Sequence, residues 1–388
     1  MFIRRIVRYL CVVLLVCGFS WLNQKTRGWI FLQETKKHEN DNGFLETKNK
    51  KNQPVPWGQR NWVQLVVFLV TIGIGVQFFV YVHQSSGDGI ITVARPPGVE
   101  GFLPIGALMG WKLFLQTGMW DPVHPAAMVI FGFACLLSIA LRKSFCGWFC
   151  PVGTLSEWLW KFGGRFFGKN YQLPAWMDFP LRALKYLLLG FFVWAVFSME
   201  SFSILSFLQS PYYKISDVKM LHFFTRMSTL AMVVLILLGL ASIITRNFWC
   251  RYLCPYGALL GLLAIFSPTR IQRSPENCIS CRRCSQICPY HLPVDKKLNI
   301  ISPECNGCMD CTAVCPADNA LELKTKGTGK YVWNTAKVSI VIIGLFASLV
   351  FTARMTDHWQ SSVTKQEFRI RLQTINSPEV SHPTVRLR

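Results

Sequence analysis

Five stretches of this chain, 62–82, 125–141, 181–199, 221–245 and 338–353, are apolar over nearly the full length needed to cross a bilayer. That length is about 20 residues for an α-helix, with a range near 17–25. Inside hydrocarbon every backbone N–H and C=O must be satisfied within the segment, so helices are the form open to these stretches. The expected fold is therefore an α-helical polytopic membrane protein. A sixth segment, 6–22, is shorter and carries Arg4, Arg5 and Arg8, a pattern that suits a signal peptide as well as an anchor. No Ala-x-Ala site follows it, which favours an uncleaved anchor and gives five to six transmembrane helices. Two further apolar stretches, 101–120 and 256–266, are broken by Gly and Pro and read as re-entrant or interfacial.

Composition agrees. Hydrophobic residues make up 51% and charged residues 16%, against about 25% charged in soluble domains. The net charge of +21 in so apolar a chain points to cytoplasmic loops and lipid headgroups, and no nucleic-acid partner is expected. Lys and Arg number 8, 7 and 12 in 23–60, 142–185 and 246–337, but 2, 3 and 6 in 83–125, 200–226 and the tail. The first set is expected in the cytoplasm. Segment 25–60 is polar without an apolar face, and the tail after Arg354 carries no readable motif.

Twelve of the 15 cysteines fall into spaced motifs. Two runs, Cys278-x2-Cys281-x2-Cys284-x3-Cys288-Pro289 and Cys305-x2-Cys308-x2-Cys311-x3-Cys315-Pro316, have the spacing of two-cluster ferredoxins. Two-residue spacers wrap a loop so that three thiolates reach three irons of a cubane. The fourth ligand comes from the other run. One [4Fe-4S] cluster is thus assigned to Cys278, Cys281, Cys284 and Cys315, and the second to Cys305, Cys308, Cys311 and Cys288. Zinc sites use other spacings, and a cytosolic compartment disfavours disulfides.

An internal repeat precedes the runs. Arg142-Lys-Ser-Phe-Cys146-Gly-Trp-Phe-Cys150-Pro-Val-Gly153 returns 104 residues later as Arg246-Asn-Phe-Trp-Cys250-Arg-Tyr-Leu-Cys254-Pro-Tyr-Gly257. Each copy ends an apolar segment, and duplicated membrane proteins place their sites between the repeats. Cys146, Cys150, Cys250 and Cys254 supply four thiolates, enough for a third cluster or a metal; a thiol–disulfide relay and simple helix packing are the alternatives. Cys11, Cys17 and Cys135 stand alone in apolar runs and are given no role.

Two Cys-x3-Cys-Pro motifs after membrane helices, then two ferredoxin runs and a last helix, resemble the NapH/NosR/CcoG group of membrane polyferredoxins, over about residues 60–353. The resemblance is to the NapH type, since a NosR-like flavin-binding domain is not expected in 23–60. It implies a bacterial inner-membrane protein with its ferredoxin domain in the cytoplasm. It also implies electron transfer between quinone or quinol and a partner oxidoreductase or cytochrome subunit, as a subunit more than as a stand-alone enzyme. The alternative it implies is a factor that delivers electrons or metal during assembly of a respiratory enzyme.

Quinol oxidation releases protons, so ionisable groups at the end opposite the cysteines matter: His83, Asp88, Glu100, Asp121, His124, Asp217 and His222. Glu100, in broken apolar surroundings, is the candidate proton acceptor. The histidines do not form a haem-like pair. The expected organisation is an anchor and linker (1–60), a membrane bundle with the repeat (61–267), a small α+β two-cluster ferredoxin domain (268–331), a last helix (332–353) and a polar tail (354–388).

Overall fold

The computed structural model describes residues 57–87, 89–168, 170–325, 331–380 and 382. The expected anchor at 6–22, most of the linker, Cys11, Cys17 and Asp88 lie outside the described residues. In chain order the principal helices are α1 (Gln59–Ser86), α2 (Pro104–Thr117), α3 (Pro125–Leu141), α4 (Pro151–Phe166) and α5 (Ala175–Ser198). They are followed by α6 (Ser216–Thr225), α7 (Thr229–Ile244), α8 (Pro255–Leu263), α9 (Thr335–Met355) and α10 (Lys365–Gln373).

Among the described residues three helices, α1, α5 and α9, are long and apolar enough to cross a membrane, or four spans if α6 and α7 count as one. Five or six were expected from sequence. The shortfall has two physical sources. Helix α3 has 17 residues, about 25 Å at 1.5 Å per residue, against a hydrocarbon core of about 30 Å. It is also buried by its neighbours, with Phe133, Ala134 and Leu137 inaccessible. The stretch 221–245 is not one helix: α6 and α7 meet at 78°. Ser228 accepts a hydrogen bond from the Ala231 N–H at 3.2 Å and caps a new helix there. Along α1, α5 and α9, Val66, Val70, Leu187, Phe191, Ile340 and Phe351 are exposed. So much uncovered apolar surface is stable against lipid and not against water, and this is a membrane protein.

The chain from Thr269 to Trp333 builds a four-stranded antiparallel sheet, with β1 (Thr269–Arg273), β2 (Asn299–Ile300), β3 (Leu321–Thr325) and β4 (Val332–Trp333) in the order β2-β1-β3-β4. Ile271 lies opposite both Ile300 and Leu323. Strand β4 pairs with β3, with Leu323 opposite Trp333. The buried Ile271, Ile300 and Leu323 pack into one core with Phe133 and Leu137 of α3, Trp148, and Val338 and Ile342 of α9. The small sheet therefore shares its core with the helices.

The tail is also structured over its described residues. Phe368 and Leu372 of α10, one turn apart, are buried, and the Phe368 ring lies 5.0 Å from that of Tyr81. Lys214 pairs with Glu367 at 2.5 Å, and Lys219 donates to the Val380 carbonyl at 2.6 Å. Only two apolar side chains anchor this helix, too few to read as a face in a polar sequence.

Candidate iron-sulfur centres

The two ferredoxin runs adopt the same backbone. Ser280 and Arg282 in the first have φ of 54° and 60°; Gly307 and Met309, 27 residues on, have 61° and 62°. Left-handed residues at these positions curl each Cys-x2-Cys-x2-Cys loop around a centre, and a short helix begins after each, at Arg283 and Asp310. One cavity is lined by Cys305, Cys308, Cys311 and Cys288, together with Ile271 and Tyr290. The other is lined by Cys278, Cys281, Cys284 and Cys315, together with Arg273 and Asp295. Each cavity thus takes three cysteines from one run and the last cysteine of the other.

These surroundings fit anionic thiolate clusters. Cys288 Sγ accepts from the Leu292 N–H at 3.4 Å, and the buried Arg273 Nε beside the second cavity has no hydrogen-bond partner among the described residues. Burial pushes the Cys284 and Cys288 thiols up to about 11, so they hold their protons near neutrality until a metal displaces them.

The duplicated motif also folds alike in both copies. A single π-turn spans Phe145–Phe149 in one and Trp249–Leu253 in the other. Cys150 and Cys254 then cap α4 and α8, each of which starts with proline. The Gly257 N–H donates to Cys254 Sγ at 3.2 Å; Cys150 makes no such side-chain bond to α4. A sulfur at a helix N-terminus sits in the positive end of the dipole, where a thiolate is favoured. The two copies meet: Cys250 lies close enough to Cys146, Cys150 and Cys254 for their charges to interact. Burial raises Cys146 to about 12 and Cys150 to about 11. Lys143, 1% exposed, faces these sulfurs. Its Nζ has no hydrogen-bond partner among the described residues and lies 5.5 Å from the Tyr290 ring centroid. Among the described residues no three His, Cys, Asp or Glu side chains converge closely enough to hold a single metal ion.

Charged side chains and the Trp148 indole fasten the cavity of Cys305, Cys308, Cys311 and Cys288 to the membrane helices. Arg142 donates to the Ser302 carbonyl at 2.5 Å. Its counterpart in the repeat, Arg246, donates to the carbonyls of Gln286 at 2.7 Å and Cys288 at 3.2 Å. Trp148 Nε1 donates to the Gly307 carbonyl at 2.9 Å. Lys185 pairs with Glu304 at 2.6 Å. Arg60 makes a two-pronged bond to Glu157 at 2.6 and 2.8 Å and reaches Asp310 at 3.1 Å and the Gly147 carbonyl at 3.1 Å. Arg60 thereby ties the Cys146–Cys150 loop to the Cys308–Cys311 loop.

Burial alone would raise the Glu157 carboxyl, but Arg60 and then Lys161 hold it at about 2. Burial acts likewise on Glu304, and Lys185 and Lys143 bring it to about 2. Asp310 moves the other way, above its usual range, because burial and the Glu157 charge outweigh what remains of Arg60. The one available signal for these contacts was the recurrence of Arg at 142 and 246. Lys143, Arg60 and Glu157 leave no trace in spacing.

At the other end, four of the expected ionisable residues come together. Glu100, Asp121, His124 and Asp217 are all buried. Glu100 Oε2 accepts from the Ala126 N–H at 3.0 Å at the start of α3, and its other oxygen lies 3.4 Å from His124 Nδ1 and 3.9 Å from Arg95. Arg95 pairs with Asp217 at 2.7 Å, and Tyr213 donates to Asp121 at 2.7 Å. Glu100 thus sits in an ion network and not in apolar surroundings. His83 is exposed and His222 half-buried, outside this cluster. Arg95, which holds it together, was missed. Cys135 is half-buried and packed against the main core.

Comparison with known proteins agrees with this geometry. A family described as a 4Fe-4S binding domain matches residues 123–170 and 225–273, and a 4Fe-4S dicluster domain matches 270–327. YccM of Escherichia coli (strain K12), whose name assigns it to electron transport, is 38% identical over 81% of this chain and 92% of its own length. The ferredoxin-type protein NapH of Haemophilus influenzae is 26% identical over 52% of this chain and 70% of NapH. The regulatory protein NosR of Pseudomonas aeruginosa is 29% identical over 52% of this chain but only 27% of NosR. No solved structure matches. With its cysteines, its repeat and these relatives in accord, the chain belongs to the NapH/NosR-type membrane polyferredoxins, iron-sulfur proteins of electron transport.

Proposed function

We propose that this protein passes electrons between quinone or quinol, or a membrane redox partner, and two [4Fe-4S] clusters, by way of a third redox site at Cys146, Cys150, Cys250 and Cys254. The carrying observation is that members of all three sets border one continuous core: Cys146 and Cys150, Cys288, Cys305 and Cys311, and Cys284 and Cys315. The domain organisation proposed from sequence stands beside it, with the ferredoxin domain at 268–331, as does its cytoplasmic placement in a bacterial inner membrane.

When bound, each cluster supplies one reversible electron; the protein supplies ligands, burial and local charge. Cys278, Cys281, Cys284 and Cys315 would hold one cluster, and Cys305, Cys308, Cys311 and Cys288 the other. A third cluster between the repeats is supported by three observations. The 4Fe-4S binding domain match includes all four repeat cysteines and none from the ferredoxin runs. The thiols do not converge on a single-ion position. Lys143 offers a buried ammonium without a hydrogen-bond partner among the described residues, facing the sulfurs of an anionic group. Lys143 and the Gly257 N–H stabilise negative charge on the sulfurs there, while Trp148 and Tyr290 exclude water. At the far end Glu100 and His124, 3.4 Å apart, would take up protons released from quinol.

Assembly or maturation of a respiratory oxidase or reductase is the second reading, favoured by the NosR likeness, since that relative is named as regulatory. Quinol added anaerobically to the purified, oxidised protein separates the two. Electron transfer predicts bleaching of the cluster absorbance within seconds to minutes. Clusters that dithionite reduces but quinol does not would favour assembly.

A further inference from the structure

The two ferredoxin cavities have opposite surroundings. Around Cys305, Cys308 and Cys311 the intervening Asn306, Gly307, Met309 and Asp310 are buried against the membrane helices. Around Cys278, Cys281 and Cys284 the equivalent Ile279 and Ser280 are exposed, Ile279 at 59%, and the Arg282 side chain is 74% exposed. Electrons that enter from the membrane meet the covered cavity first, and the chain opens outward at the other.

That opening has a definite charge. Arg270, Arg273, Arg282, Arg283, Lys296 and Lys297 belong to the segment that carries it, against Glu276, Asp295 and nearby Asp318. Asp295, 14% exposed, accepts from the Ser285 hydroxyl and lies 3.9 Å from Arg282 Nε, so it offsets part of one rim charge and leaves the balance basic. An exposed apolar centre, Ile279, within a polar and mainly basic rim has the anatomy of a protein contact surface. Electrostatic complementarity of this kind chiefly sets partner choice and encounter rate.

We propose that the loop of Cys278, Cys281 and Cys284, with Arg282, Lys296 and Lys297 at its rim, is an electron port that docks a one-electron redox protein with an acidic contact surface. The port rests on the cluster occupancy proposed above. Each encounter moves one electron between the cluster and the partner's redox centre; the partner is reduced as the cluster is oxidised, or the reverse, and no bond forms and no proton moves. The covered cavity has no such access, so the order along the chain is repeat cysteines, then Cys305/Cys308/Cys311/Cys288, then Cys278/Cys281/Cys284/Cys315.

The test uses the full chain in nanodiscs and an acidic plant-type [2Fe-2S] ferredoxin as probe. Carbodiimide should cross-link the probe's carboxylates to Lys296 and Lys297, with the yield lost at high salt. Arg282→Glu should lower that yield several-fold, while Lys365→Glu, on α10 at the opposite end, should leave it unchanged. Cross-links that map elsewhere, or that ignore Arg282→Glu, would overturn the port. So would hydrogen-exchange protection of 276–283 by anionic nanodiscs alone, which would make the surface a lipid contact.

A second readout follows electrons. Dithionite-reduced protein at low ionic strength should be oxidised faster by hexacyanoferrate(III), a trianion, than by hexaammineruthenium(III), a trication, after allowance for driving force. Arg282→Glu with Lys296→Glu should shrink that preference about tenfold, within the range of electrostatic steering; an unchanged preference would count against the port. Cross-linking does not need the clusters, so protein without iron that still cross-links at Lys296 would condemn the proposed occupancy and spare the docking surface.

Discussion

The two ferredoxin runs share a spacing, a proline and a left-handed backbone, yet one is built into the membrane core and the other faces outward. The difference lies in the residues between the cysteines. Gly307 stands where the first run has Ser280, both at φ near +60°. A Cβ at Gly307 would lie 2.6 Å from Ser144 Oγ and 3.2 Å from the Leu141 carbonyl oxygen, so only glycine lets the loop seat against α3. Ser280 has open space and keeps its side chain. Asp310 stands where the first run has Arg283, and it is drawn in by Arg60. Equal motifs thus acquire unequal roles through their spacers.

The largest expected effect comes from the cysteines. Cys308→Ser should remove the covered cluster and stop quinol-linked reduction of the outer one. Cys281→Ser should remove the outer cluster and leave quinol-linked reduction of the covered one. EPR of each variant after quinol and after dithionite checks this. Identical behaviour of the two variants would erase the distinction between the runs.

Next in size is the buried clamp. Glu157→Gln leaves Arg60 with a weakened partner. Breaking a buried pair typically costs about 3–5 kcal/mol, and the loss should appear as faster hydrogen exchange in 305–311, with 278–284 little changed. The same clamp should weaken in acid. The Glu157 and Glu304 carboxyls are held at about 2 in the folded protein, below an unfolded value of about 4.3. Their stabilisation is therefore complete above that value and fades as pH falls from there through about 2. Exchange in 305–311 that is flat across this window would argue against the clamp.

Gly307→Ala comes third. It adds a collision to a left-handed φ, which costs about 1–2 kcal/mol for a non-glycine residue, whereas Ser280→Gly should be nearly neutral; thermal unfolding with and without iron compares them. The smallest effect is Arg282→Ala, within about 0.5 kcal/mol as for most surface changes, despite its effect on partner docking.

The cysteine spacings and the repeat made the metal chemistry readable, because cluster ligation dictates sequence distance directly. Apolar length located the helices α1, α5 and α9. At 125–141 and 221–245 it did not show the short buried helix and the serine-capped bend, which are invisible to hydropathy. Of the ionisable residues expected at the far end, Glu100, Asp121, His124 and Asp217 come together while His83 and His222 stand apart, and neither their partner Arg95 nor the clamp of Arg60, Glu157 and Asp310 was legible. Such pairs join positions up to 250 residues apart, and nothing local requires them.

The central claim is that the duplicated Cys-x3-Cys-Pro motif holds a cluster of its own beneath the ferredoxin pair. Iron and acid-labile sulfide counted per chain on anaerobically purified protein test it most directly, since each cubane carries four of each. The account predicts about twelve iron and twelve sulfide, falling to about eight in Cys150→Ser with both ferredoxin signals retained. About eight of each in the unaltered protein, unchanged by Cys150→Ser, would contradict it.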